Sequence, residues 1–148
     1  MAKLPAQDPY LQDSNCIKRL VEEWEKYGSL IVAYDFDNTV FDYNEKGYTY
    51  NQVVELLREC KRQGFHLTVF TSCNDDRFDF IKDYLTKNDI PFDGINETPD
   101  FIPFKGRKVY YNILLDDRAG LSSAFTVLWN VIYTIRGRKA NANLTDAA

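Results

Sequence analysis

Two acidic residues stand two apart in the run Asp35-Phe36-Asp37-Asn38-Thr39, directly after a short apolar stretch. A hydroxyl pair, Thr71-Ser72, closes a second apolar stretch, and an acidic pair, Asp116-Asp117, closes a third. Lys105, Arg107 and Lys108 lie shortly before that third stretch. Acids that close a buried strand repel each other unless a cation lies between them. A hard divalent ion such as Mg²⁺ takes carboxylates, carbonyls and water as ligands, and it screens the repulsion between a carboxylate and an anionic phosphate. These residue types therefore match phosphoryl transfer through an aspartate. Asp35 would be nucleophile and metal ligand, and Asp37 the acid that protonates the leaving oxygen and the base that activates water. Side chains i and i+2 of a strand share a side, so the two can converge where a strand breaks into a loop. Thr71 or Ser72 can hydrogen-bond the transferring group, and a lysine can screen its charge. Asp116, Asp117 and the Asp37 carbonyl would complete the metal ligands, with Asn38, Ser72 and Lys105 expected on the substrate.

Positioning these groups requires strands that all end at one side of a sheet. Leu30 to Phe36 is apolar without alternation, as in a strand buried on both faces. Phe65–Phe70 and Tyr110–Leu115 read the same way, and Ile90–Ile95, interrupted by Pro91 and Gly94, holds only a short strand. Apolar residues at helical spacing predict helices from Ser14 to Tyr27, Thr49 to Gln63, Asp75 to Lys87 and Gly120 to Arg136. Asn74, Asp75 and Asp76 read as the cap and first turn of the third helix. Strands alternating with helices predict an α/β fold, a three-layer Rossmann-like sandwich around a mostly parallel sheet, whose ligands bind beyond the carboxyl ends of the strands. A single domain over residues 14–136 follows, with an irregular leader at 1–13 and a flexible tail at 137–148.

The chain has 148 residues, room for one core, and a net charge of -4, which argues against a broad basic face for nucleic acid. No apolar run approaches the roughly 20 residues that span a bilayer. Three cysteines without metal-ligand spacing argue against a disulfide framework and for a reducing cytoplasm. Cys73 lacks the phosphate loop that a thiol nucleophile needs, since Arg77 follows only four residues later and no glycine lies between. His66, without an obvious partner, reads as structural.

The run VAYDFDNTVFD resembles the first motif of the haloacid dehalogenase-like (HAD) hydrolases, VFTS the second, and ILLDDRAG the fourth, in the family's order from Leu30 to Gly120. The resemblance implies a Mg²⁺-dependent phosphatase acting through a phosphoaspartate. Its third motif is a lysine or arginine; RKVYYNILLDD is most similar to small members in which the lysine closely precedes the last strand, which favours Lys108, with Lys105 second. Many members carry a cap domain. Here Asp37 to Thr71 holds one loop and one helix, and Thr71 to Lys108 one helix and a loop, so no cap is expected. Capless members act on macromolecules or take a lid from an oligomeric partner, which implies a nucleotide, a nucleic-acid end or a phosphoprotein as substrate, with specificity in the loops Asp42–Tyr48 and Asn96–Arg107. Two alternatives stand beside this one. A binding protein could keep the fold without turnover. A phosphoacceptor module of the response-regulator receiver type uses similar groups, but there the paired acids come first.

Overall fold

The computed structural model describes residues 7–146. A 3₁₀ turn, Pro9–Leu11, leads into α1 (Asp13–Tyr27), followed by β1 (Ile31–Tyr34), α2 (Asn51–Arg62), β2 (His66–Val69), α3 (Phe78–Lys87), β3 (Gly94–Ile95), β4 (Ile113–Leu115) and α4 (Leu121–Asp146). The strands form one sheet in the order β3-β2-β1-β4, and every pairing is parallel. Parallel neighbours need crossover connections, and α2 and α3 supply two of them. The fold is therefore α/β and Rossmann-like.

All four residues of β1 are buried, as the apolar run without alternation predicts for a strand covered on both faces. The helices contribute the cover: Leu20 and Val21 from α1, Leu56, Leu57 and Cys60 from α2, Ile81 and Leu85 from α3, and Leu128, Val131, Ile132 and Ile135 from α4. α1 stops at Gly28, whose φ of 78° is a left-handed value that glycine adopts without a Cβ penalty, and whose N–H donates to the Trp24 carbonyl at 2.7 Å. The expected strands are each present but shorter, because the ladder stops where neighbours diverge into loops. The third helix begins differently from its sequence expectation. Asp75–Arg77 form a 3₁₀ turn ahead of α3, and Asn74 makes no side-chain capping bond.

The C-terminal reading requires a correction. The segment expected to be a flexible tail from Gly137 is helical to Asp146, continuing α4 for ten residues past Arg136. Polar contacts that residue composition does not reveal anchor its start. Arg136 pairs with Glu59, Arg138 pairs with Glu25, and Lys139 Nζ donates to Gln63 Oε1 at 2.8 Å. Glu59 is nearly fully buried; burial pushes its carboxyl up, but hydrogen bonds from Arg62, Gln63 and Arg136 hold it below the usual carboxylate range. Among the described residues no helix is long and apolar enough to cross a membrane. Cys16, Cys60 and Cys73 are free thiols. Residues 1–6 of the expected leader and residues 147–148 lie outside the described residues.

Gly137 sits inside the extended part of α4, exposed, and beyond its chain neighbours and the helix's own backbone nothing lies within 4 Å of where a Cβ would stand. Alanine favours a helix interior over glycine by about 1 kcal/mol. Gly137→Ala should therefore raise stability by about that amount, read as a higher urea midpoint at unchanged slope. A frayed tail would leave the midpoint where it is.

Candidate active site

β1 and β4 run side by side with Tyr34 opposite Leu115, so the residues that follow, Asp35 and Asp116, leave the sheet as neighbours. The Asp35 N–H donates to the Leu115 carbonyl at 2.9 Å, extending the ladder into the site. Carboxylate oxygens of Asp35, Asp116 and Asp117 all lie within 4.8 Å of one another. They open onto a cavity of about 350 Å³ lined also by Asp37, Asn38, Tyr43, Phe70, Thr71, Ser72 and Arg118.

The loop after β1 is folded tightly enough to hold its side chains apart. The N–H groups of Val40 and Phe41 both donate to the Phe36 carbonyl, Asn38 takes a left-handed φ of 59°, and its N–H donates to Phe41. Phe36 and Phe41 stack at 5.0 Å and meet Tyr84 of α3 edge-on, which fixes the loop to the core. Thr39 is fully buried. Its hydroxyl accepts from the Asp117 N–H at 3.2 Å and donates to Asp117 Oδ1 at 3.4 Å, so it sets where the second acid of the pair points. The Asp116 carboxylate accepts from the Arg118 N–H at 2.9 Å.

Asp37 is set differently. Both of its oxygens accept from Arg77, at 2.6 and 2.7 Å, and its carboxylate is not in the cluster formed by the other three acids. Thr71 is held through its backbone: its N–H donates to the Asn96 side-chain oxygen and its carbonyl accepts from the Asn96 amide, each at 2.8 Å. The loop after Phe41 is closed by Asp42, whose carboxylate accepts from the N–H groups of Lys46 and Gly47.

Asp35, Asp37, Asn38, Thr71, Ser72, Asp116 and Asp117, singled out in the sequence, thus meet at one cavity. The two lysines do not join them. Lys105 Nζ donates to the carbonyls of Thr98 and Pro99, which ties it into its own loop, and it does not line the cavity. Lys108 Nζ lies 6.0 Å from the Tyr111 ring, which packs on Phe70 at the cavity wall; the lysine itself does not line the cavity. The basic residue that does is Arg118. Reading by sequence missed Arg118, Arg77 and Asn96. Of these, Arg118 carried a signal, since it directly follows the acidic pair.

Burial and acidic neighbours both show in the chemistry of Asp35. Burial first, then the neighbouring Asp117 and Asp116, push its carboxyl up to about 7. Three oxygen donors at the mouth of a cavity are the ligand type a hard divalent cation uses, and such an ion would relieve the repulsion.

No family model matches the chain, and no curated protein matches it. Among solved structures it is similar to a conserved protein from Bacteroides thetaiotaomicron, with a TM-score of 0.52 and 22% identity, covering 61% of this chain and 77% of that one. At that identity the likeness shows the fold alone.

The folded-state value of Asp35 lies above the usual carboxylate value. The stability tied to its protonated form is therefore complete below about pH 4 and is lost as pH rises through about 7. Without divalent ions, Asp35→Asn should be more stable than wild type at pH 8, by about 1–2 kcal/mol after discounting for solvent at a half-buried group. The advantage should vanish near pH 4. Chemical denaturation at the two pH values reads this out, and an advantage that does not change with pH would contradict it.

Proposed function

We propose that this chain is a magnesium-dependent phosphomonoester hydrolase of the HAD-like type, acting through a phosphoaspartate on Asp35. The observation that carries the reading is the meeting of Asp35, Asp116 and Asp117 at the carboxyl ends of adjacent strands, on one cavity with Asp37, Thr71 and Ser72.

The three carboxylates fit a resident Mg²⁺ by ligand type and by their mutual proximity, and with the Asp37 carbonyl they would hold the ion in this reading. When bound, the ion supplies charge that screens phosphate from carboxylate. An Asp35 oxygen attacks phosphorus, and the bond from phosphorus to the ester oxygen breaks. Asp37, as the acid, gives its proton to that departing oxygen. As the base, Asp37 then takes a proton from a water whose oxygen attacks the phosphoaspartate, which frees orthophosphate and restores the Asp35 carboxylate. In this reading the hydroxyls of Thr71 and Ser72, which line the cavity, donate to phosphoryl oxygens, and Arg118 brings a positive charge to the same cavity. Lys108 would need to turn from Tyr111 toward the cavity to serve as the third-motif lysine.

Support for the capless form comes from the connections: β1 to β2 contains α2, and β2 to β3 contains a 3₁₀ turn and α3. An open cavity rimmed by the exposed Tyr43 favours a phosphate carried on an extended or ring-bearing substrate, such as a nucleotide, a nucleic-acid end or a phosphoprotein. The cytoplasm fits an enzyme with free thiols. One observation favours a second reading, a binding protein without turnover: Arg77 engages both oxygens of the acid–base residue.

Phosphate release from an aryl phosphate decides between them. Wild-type protein should turn over with Mg²⁺ and stop in excess chelator. Asp35→Asn should abolish turnover, and Asp37→Asn should lower it by roughly 10²–10⁴-fold. A flat trace for wild-type protein across many phosphate esters would leave the binding reading.

A further inference from the structure

Arg77 is not a lining residue of the cavity, whereas Asp37 is. Its two terminal nitrogens meet the two Asp37 oxygens at 2.6 and 2.7 Å across 40 residues of sequence, and both side chains are about three-quarters buried, each 25% exposed. Planar forks of this kind fix the orientation of a carboxylate as well as its position. The guanidinium is fixed in turn: its carbon lies 5.5, 5.7 and 5.8 Å from the ring centroids of Phe36, Tyr43 and Phe80. Phe36 is the residue between the two acids, buried beneath the loop, so the same side chain that separates Asp35 from Asp37 also seats the arginine.

A carboxylate has about four acceptor sites, and a bidentate arginine uses one on each oxygen. The remaining sites stay free for a proton. We propose that Arg77 is a positioning residue for Asp37, holding its side-chain torsions so that the free acceptor sites face the ester oxygen that leaves. This rests on the phosphatase reading above. It also reconciles the ion pair with turnover, since the pair need not open for Asp37 to act. Without the fork, Asp37 would turn about its own bonds, and a displacement of about 1 Å can cost on the order of 10²-fold in rate.

The step that suffers is protonation of the leaving oxygen, which matters for an alkyl ester and little for an aryl ester whose phenolate leaves readily. The experiment measures kcat/KM, which covers the steps through leaving-group departure, at one pH with Mg²⁺. The substrates run from p-nitrophenyl phosphate to ethyl phosphate, on wild-type protein, Arg77→Met and Arg77→Lys, with melting curves to confirm folding. The lysine keeps the charge among the rings but has no planar fork, so it remains informative if the methionine variant does not fold. The expected result is a loss of about 10–100-fold on the ethyl ester, about tenfold greater than on the aryl ester, seen as a steeper dependence on leaving-group pKa. Equal losses along the series, or no loss, in a folded variant would overturn the role of Arg77 while leaving the phosphatase reading intact. Wild-type protein that cleaves no ester removes that reading, and the proposal with it.

Discussion

Repulsion among the Asp35, Asp116 and Asp117 carboxylates is the constraint to which the rest of the cavity answers. Three acids drawn together and partly out of water are costly, and the hydrogen bonds from Thr39 to Asp117 and from the Arg118 N–H to Asp116 offset that only in part. What forces them together is register. Tyr34 and Leu115 are paired and fully buried, so β1 cannot slide against β4 without turning core side chains outward. The hydrophobic core thereby holds a charge arrangement that the acids on their own would disperse. A site of this kind is a strained one, and the burial of α1, α2, α3 and α4 against the sheet is the reservoir that sustains it.

The four acids are sorted by their neutral and cationic neighbours. Thr39 binds Asp117 through both its backbone N–H and its carboxylate, keeping it with Asp35 and Asp116. Arg77 draws Asp37 out of that group. Asp35 stays at the strand end among the other acids, and Asp37 is given a fixed orientation by the arginine. Two residues apart in sequence, Asp35 and Asp37 acquire different chemistry from different surroundings.

Much of this could be read from the sequence, because apolar runs that stop abruptly at acids or hydroxyls mark strand ends, and a parallel sheet gathers those ends on one side. Asp35, Asp37, Thr71 and the Asp116-Asp117 pair were placed by that logic alone. What it could not reach were contacts between side chains distant in the chain. Arg77 lies 40 residues from Asp37, and its sequence neighbours point only to Cys73 and a helix start. Asn96 lies in a stretch with two prolines that reads as loop, and Lys105 and Lys108 sit near the last strand in sequence while their amines are directed by the loop's own carbonyls and by Tyr111. The extension of α4 was hidden for the same reason. Small polar residues look frayed until Arg138 and Lys139 find partners on α1 and beside α2.

Asn96 has an effect beyond holding Thr71. β3 is only two residues long and pairs with β2 no further than Val69. Past that point, the Asn96 N–H still donates to the Val69 carbonyl, and its side-chain amide mimics a peptide group, both receiving and giving a bond to the Thr71 backbone. The ladder is thus continued for one more rung by a side chain where the strand itself has ended. The Thr71 amide is consequently a protected one, expected to exchange its hydrogen with solvent on the slow timescale of the sheet and not on that of the loop that carries it. The part of the cavity wall that Thr71 forms moves with the core.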